Sequence, residues 1–429
     1  MKLKSKNVLI VCRDFPPYGG VTSHYIRMLE LANFLCNKDC IVNVYCISRT
    51  YKLAKESLDP RVIVHPIKSV YTYFDIVGCV LNKPASKFVC YATKAFKRLY
   101  LKFKKNIIDY ESIMTGHFYN RILSDLKGVE NANLITSSPS HSIHLVGELL
   151  KDSLDRKINW IADFRDPWTP RPLYNIKKTA EVEFEKKVEA RFLKKADHFV
   201  VVSEGMANYY KKLRHGCVKL IENGYIDTVE LKPNSRLVEF VTNQHKAGRI
   251  VLAYFGAGGI GFGGQSGKDL RFLGDCLAER ADIFNKFSLV MQGSIAINKH
   301  NWGDRLLVLD SEELSQARAN MRVVDIGLNV YTCVEDADMT IGSKVYELAA
   351  SNTPIWCLIP NNAKSIQSFA KKVEGVLITD PLNKAQVIND AEKIISHFGS
   401  GKDYFKINKS ELVNYKRSSQ YKKFLELLQ

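Results

Sequence analysis

The sequence predicts an α/β protein built from two Rossmann-like, parallel-sheet domains that face a cleft. Two observations carry that expectation. Short, continuously apolar runs such as NVLIVC (7–12) and RIVLAYFG (249–256) alternate with helix-length segments, and the alternation starts twice. Strands buried on both faces of a parallel sheet read as unbroken apolar runs, and each needs a crossover helix to reach its neighbour. In addition, 429 residues are too many for one compact core, so division into domains is the default.

The first series opens with a strand at 7–12, the turn RDFPPYGG (13–20), a helix from Ser23 to Cys36 and a strand at 41–47. It continues with a strand at 61–65, a helix at 86–104, a strand at 133–136, a helix at 141–151 and a strand at 158–162. A charged helix at 179–195 and a strand at 198–202 complete it. NGYID (223–227) marks a turn, and the polar residues 228–248 read as an irregular linker. The second series begins at 249–256 and repeats through strands at 287–293, 306–309, 325–330 and 355–359. The tail reads as helical, with Phe405, Leu412, Tyr415, Tyr421, Phe424 and Leu427 apolar, and is a candidate to cross back to the first domain. The expected division is therefore 1–228, 229–400 and a helical tail at 401–429.

The net charge of +17 favours an anionic partner: nucleic acid, an anionic membrane surface or a phosphorylated substrate. The charge is concentrated at 87–106, KFVCYATKAFKRLYLKFKKN, which holds seven Lys or Arg and no acid. At helical spacing Phe88, Phe96, Leu99 and Phe103 share one face, with Lys94, Lys97, Arg98 and Lys104 opposite. Such a basic amphipathic helix either packs its stripe on the core or lies on an anionic membrane. No apolar run approaches the roughly 20 residues of a membrane span. Ten scattered cysteines without a Cys-x-x-Cys pair, and no signal-peptide core, point to reduced thiols and a cytoplasmic location.

The stretch TIGSKVYEL (340–348) is the most informative. A Gly-Ser turn after a buried strand opens a helix, whose free N–H groups and dipole attract anions. Lys344 adds positive charge there, and Glu347 offers an acceptor one turn on, suited to a ribose hydroxyl pair. A surface loop with a solvated Lys and Glu has the same pattern. In INWIADFRDPW (158–168) a strand ends in Asp163, Arg165 and Asp166, where ligand sites of parallel sheets occur, though a loop-fixing Arg–Asp pair also fits. The glycine-rich segment 256–268 matches neither the dinucleotide fingerprint nor a Walker A loop in context, but leaves Lys268 and Arg271 available for phosphate. Asp336 and Asp338 form an Asp-x-Asp, and His141 and His144 a pair lacking a third ligand, so no metal site is expected.

Taken in order, DFPPYGG (14–20), SSPSHSIHLVG (137–147), WIADFRDPWT (160–169), VVSEGM (201–206), ENGYID (222–227) and GSKVYELAASNTPI (342–355) resemble family 4 glycosyltransferases of the GT-B fold, of the bacterial surface-polysaccharide type. The resemblance implies retaining transfer from a nucleotide-sugar donor to a glycan or lipid-linked glycan acceptor, without a cofactor or metal. The cysteines point to a cytoplasmic protein, the basic helix at 87–106 to a peripheral place at the inner face of the membrane, and the lack of a compact nucleic-acid module to no nucleic-acid partner. Glu347 then matches the ribose-binding glutamate, and Lys344 lies near the diphosphate. Gly19 and Gly20 face the pyrophosphate and acceptor, and Lys268 and Arg271 are candidates for phosphate. His141 matches the active-site histidine, with Arg165 and Asp166 as further catalytic candidates. One departure concerns Glu-x7-Glu, whose first position is Met339 here, with Asp338 out of register by one. Two other classes compete: a GT-B sugar-nucleotide epimerase or hydrolase, and a non-catalytic nucleic-acid-binding protein suggested by the charge alone.

Overall fold

A computed structural model describes residues 6–18, 23–48, 58–68, 108–154, 157–170, 179–214, 216–226, 231–256, 270–293, 299–332, 334–335, 337–400 and 406–429. The basic stretch 87–106, Gly19, Gly20, Lys268 and Asp336 lie outside these residues.

Among the described residues, seven parallel strands form the first sheet: β1 (Asn7–Cys12), β2 (Ile41–Ile47), β3 (Ile63–Ile67), β4 (Ala132–Ser138), β5 (Ile158–Phe164), β6 (His198–Val201) and β7 (Val218–Leu220). Their spatial order is β3-β2-β1-β4-β5-β6-β7. Six more form the second: β8 (Ile250–Phe255), β9 (Phe287–Gln292), β10 (Leu306–Leu309), β11 (Ile326–Val330), β12 (Ile355–Leu358) and β13 (Val376–Thr379). Their order is β10-β9-β8-β11-β12-β13. In both sheets the order reverses beside the first strand. Ligands of such sheets bind outside the carboxyl ends of the strands at that switch point.

The unbroken apolar runs are explained by burial on both faces. Val8, Ile10 and Cys12 pack on the Ser23–Cys36 helix, while Leu9 and Val11 pack with Trp160, Phe164 and Phe192 on the opposite face. The second sheet repeats this with Val251, Ala253 and Phe255 on one face and Leu252 and Tyr254 on the other. Each alternation is a helix–sheet–helix sandwich, as the α/β expectation required.

The tail crosses back. Ile407, Leu412 and Tyr415 pack in the core of the second sheet, whereas Tyr421, Phe424 and Leu428 pack with Val8, Ile10 and Tyr25 in the first. The helix Arg417–Leu427 is tied down by Tyr421, whose hydroxyl donates to the Arg27 carbonyl at 3.0 Å. Leaving and returning segments meet at ENGYID: Tyr225 N donates to Tyr415 O at 3.0 Å, and Arg417 N to Tyr225 O at 2.7 Å. Gly224 sits there at φ +59°, and a side chain on it would overlap the Tyr415 carbonyl. Glycine is the residue that accepts both conditions.

Three local expectations change. Residues 228–248 are not an irregular linker throughout, because Ser235–Lys246 is a helix. Asn234 caps it, accepting from Arg236 N and Leu237 N, and Leu237, Val241 and Gln244 form its buried stripe. The strand expected at 61–65 lies at Ile63–Ile67, and Val376–Thr379 adds a strand to the second series. That strand is an edge strand, as is the three-residue Val218–Leu220 that extends the first series beyond 198–202.

Candidate functional site

Two adjoining cavities open where the sheets face each other. The larger, about 480 Å³, has Arg165, Asp166 and Val202 on the side of the first sheet. Tyr254, Asn329 and Gly342 line it from the second. The smaller, about 200 Å³, is lined by Phe255, Gln292, Glu347 and Arg417. Gly256, Ser343 and Lys344 belong to both and form the passage between them.

That passage is built by the βα turn read from the sequence. The helix Ser343–Ala350 follows β11 and starts from Gly342. Its first N–H groups have no partner inside the helix and favour an anion. Lys344 Nζ lies 4.4 Å from the centre of the Tyr254 ring and 3.2 Å from its hydroxyl. Gly256, at φ +115°, ends β8 directly against that lysine, and a Cβ there would overlap the ammonium. The glycine at 256 therefore serves to seat Lys344, a role distinct from any dinucleotide loop.

Glu347, one turn later, is buried and fully ionically paired. Its Oε2 accepts from Arg318 Nε at 2.6 Å and its Oε1 from Arg318 Nη2 at 2.8 Å, a bidentate fork. Oε1 also accepts from Arg417 Nη2 at 3.1 Å. The solvated-surface alternative for Glu347 is thereby excluded. Neither arginine was singled out from the sequence. For Arg417 a signal existed: residues 417, 421, 424 and 428 share one helical face, so a cation sits on the apolar stripe of the tail.

The end of β5 divides its charges. Asp163 is the structural member, bound to Arg27 Nη2 at 3.1 Å and accepting from Ser137 Oγ at 2.7 Å. Arg27 also donates to the carbonyls of Ile221 and Glu222 at 3.0 Å, fixing the chain as it leaves the first sheet. Arg165 and Asp166 instead wall the larger cavity. Burial lowers the Arg165 pKa, and Asp166 acts against it.

His141 lines neither of these two cavities. Its ring stacks on Trp168 at 4.9 Å and 10°, and on Phe164 at 5.6 Å and 28°. His144 is a core residue, stacked on Phe164 at 4.1 Å, with Nδ1 2.8 Å from Thr136 Oγ1. Arg271 opens the helix Arg271–Ala278 on an exposed surface and lines neither cavity. Asp338 is committed to structure: one carboxylate oxygen accepts from Ser365 N at 2.7 Å. Met339 stands where the first glutamate of Glu-x7-Glu would be, and its carbonyl accepts from Ser203 Oγ at 2.8 Å. Among the described residues no group of three or more His, Cys, Asp or Glu could hold a metal ion. No helix there is long and apolar enough to cross a membrane.

No protein-family model matches the chain, and no curated protein matches it in sequence. Solved structures do match, over nearly the whole length. Sucrose-phosphate synthase from Thermosynechococcus elongatus aligns with a TM-score of 0.66 at 12% identity, over 98% of this chain and 98% of that one. HepE of Anabaena, in complex with UDP and glucose, aligns at 0.61 and 11% identity, over 98% of each chain. A glycosyltransferase from Rickettsia africae aligns at 0.60 and 14% identity, over 99% of this chain and 98% of that one. At such identities the likeness is one of fold: two Rossmann-like domains in the GT-B arrangement.

Proposed function

We propose that the protein is a glycosyltransferase that takes a sugar from a nucleotide-sugar donor. One observation carries this reading: a buried carboxylate and a lysine, Glu347 and Lys344, lie one helical turn apart on the helix Ser343–Ala350, in the cleft of a GT-B fold. Glu347 would accept the ribose hydroxyls in the smaller cavity. Lys344 and the N–H groups after Gly342 would hold the diphosphate in the passage. The sugar would then enter the larger cavity, against Arg165 and Asp166. Charge develops on the diphosphate as the sugar leaves, so these positive groups lower the barrier.

Retention is what the resemblance of the motifs implies, and the positive charge that this site offers to the leaving group is compatible with it. The departing phosphate would help deprotonate an acceptor hydroxyl on the same face, and the reading gives no step to a metal. A glycan or lipid-linked glycan acceptor in surface-polysaccharide synthesis fits the resemblance of the motifs. The basic stretch 87–106 would dock the first domain on an anionic membrane, at roughly 1 kcal/mol per cation near the surface. Co-sedimentation with vesicles of anionic and of neutral lipid tests that part, and equal binding to both counts against it.

The activity itself is tested by incubating the protein with UDP- and GDP-sugars, with and without lipid-linked acceptor, and following the anomeric configuration of the product by NMR. Product that appears only with acceptor, with the donor's configuration, supports the proposal. Equal turnover without acceptor favours the epimerase or hydrolase instead.

A further inference from the structure

Arg417 touches both halves of the molecule through one guanidinium. Its Nη1 donates to Glu30 Oε2 at 2.9 Å, on the Ser23–Cys36 helix of the first domain. Its Nη2 donates to Glu347 Oε1 at 3.1 Å, on the helix that opens the cleft site. Its Nε donates to the Asn223 carbonyl at 3.2 Å, where the chain leaves the first domain. The side chain is 4% exposed, and its own backbone N–H is held by Tyr225 at 2.7 Å.

The Glu347 carboxylate has about four lone-pair sites. Arg318 occupies two, one on each oxygen, and Arg417 a third. A ribose diol brings two O–H donors to one carboxylate, so one present donor has to withdraw. The alternative partners of the two arginines decide which. Arg318 has Glu347 as its one carboxylate partner among the described residues, whereas Arg417 has Glu30 as well. The bond from Arg417 to Glu347 is also the longest of the three.

We propose that Arg417 is a latch on the nucleotide site: the ribose diol of a nucleoside diphosphate displaces it from Glu347, and it then leans on Glu30 of the first domain. The inference rests on the assignment of Glu347 as the ribose acceptor. Arg417 acts as a positioning residue, and donor occupancy is thereby coupled to the contact between the domains. Such coupling is reciprocal: what ribose binding costs the latch, removing the latch returns to ribose affinity.

Calorimetric titration tests this with UDP, GDP and ADP, each beside its 2′,3′-dideoxy counterpart, on the full chain. The wild type is expected to prefer the ribose form of the base it binds. Arg417→Met, which removes the competing donors, should widen that preference by about fivefold, the equivalent of one hydrogen bond. Glu30→Gln, which leaves Glu347 as the one carboxylate partner of Arg417 among the described residues, should narrow it. Because Arg417 lines the smaller cavity, dideoxy affinities serve as the reference and should move less than the ribose affinities in both variants. A residue that only holds the fold would move both ligand forms together. A ribose preference unchanged by both variants overturns the latch and leaves Glu347 as ribose acceptor standing. No ribose preference in the wild type, or no nucleotide binding, overturns that assignment and the latch with it. If Arg417→Met does not fold, the sign of the Glu30→Gln shift decides.

Discussion

Tyr346 donates its hydroxyl to Glu222 Oε1 at 3.1 Å, joining the helix of the cleft site to the segment that leaves the first sheet. Burial raises the Glu222 pKa, with Lys423 and the Tyr346 hydroxyl acting against it. The bond is local to the point where the two halves of the chain cross.

Tyr346→Phe keeps the ring against Phe369 and Tyr415 and removes only the hydroxyl. Glu222 then loses a donor. Glu222 is half-buried, so a stability loss of about 0.5–1.5 kcal/mol, that of a typical hydrogen bond, is expected. Urea denaturation measures it, and a loss near zero would mean that water replaces the hydroxyl there.

Glu347→Ala and Lys344→Ala should behave differently. The first strands Arg318, whose side chain is 4% exposed, without a carboxylate. Breaking a buried pair from one side costs about 3–5 kcal/mol, so this variant is expected to be unstable as well as inactive. Lys344→Ala removes a half-buried cation that rests on Tyr254 and should leave the unfolding transition near that of the wild type. Its affinity for a nucleoside diphosphate should fall by about tenfold or more, as one charge-assisted bond is worth about 1.5–3 kcal/mol. Calorimetry beside denaturant melts separates the two effects. Unchanged affinity in Lys344→Ala would remove the lysine from the diphosphate site.

How much of this was legible depended on the range of the interaction. Strands such as NVLIVC and RIVLAYFG announce themselves because burial on both faces is written in consecutive residues. The helix start at Gly342 and the positions of Lys344 and Glu347 follow from short spacing as well. The partners of Glu347 do not: Arg318 lies 29 residues before it and Arg417 lies 70 after it. No local period connects such residues, and only the return of the tail brings them together. Asp163 and Asp166 illustrate the same limit. Close together on one segment, they differ in role because Arg27, 136 residues away from Asp163, pairs with it.

Asp109 should make stability depend on pH. Its carboxylate accepts from Ser142 N at 3.0 Å and from Ser142 Oγ, just ahead of the helix Ile143–Leu154. Burial, then the charge of Glu111, push its pKa up to about 6, and the bonds from Ser142 act against them. A raised pKa means that the folded state binds the proton more tightly than the unfolded chain. The corresponding stability is fully present below the ordinary aspartate range and is lost as the pH rises to about 6. Asp109→Asn, which cannot titrate, should flatten this decline. Denaturation free energies measured at intervals across that window give the comparison, and parallel curves would rule Asp109 out as the source.

His141 poses a choice between chemistry and packing that a pair of substitutions resolves. Its ring is held flat against Trp168 at 4.9 Å, and Trp168 follows Pro167, which lines the larger cavity. An aromatic contact of this kind is worth about 0.5–1.5 kcal/mol beyond the area it buries. His141→Phe preserves the stack and removes the ring nitrogens, whereas His141→Ala removes both. If the histidine acts on the transferred sugar, both variants should lose turnover by about a hundredfold, the lower range for a positioned proton donor or acceptor. Affinity for the nucleoside diphosphate should then stay at the wild-type value, since neither cavity includes this residue. If the ring instead only braces the Trp168 loop, Phe should restore turnover and Ala should not. The two variants thus assign His141 by the recovery of rate, with nucleotide affinity as the control that the site beside it remains intact.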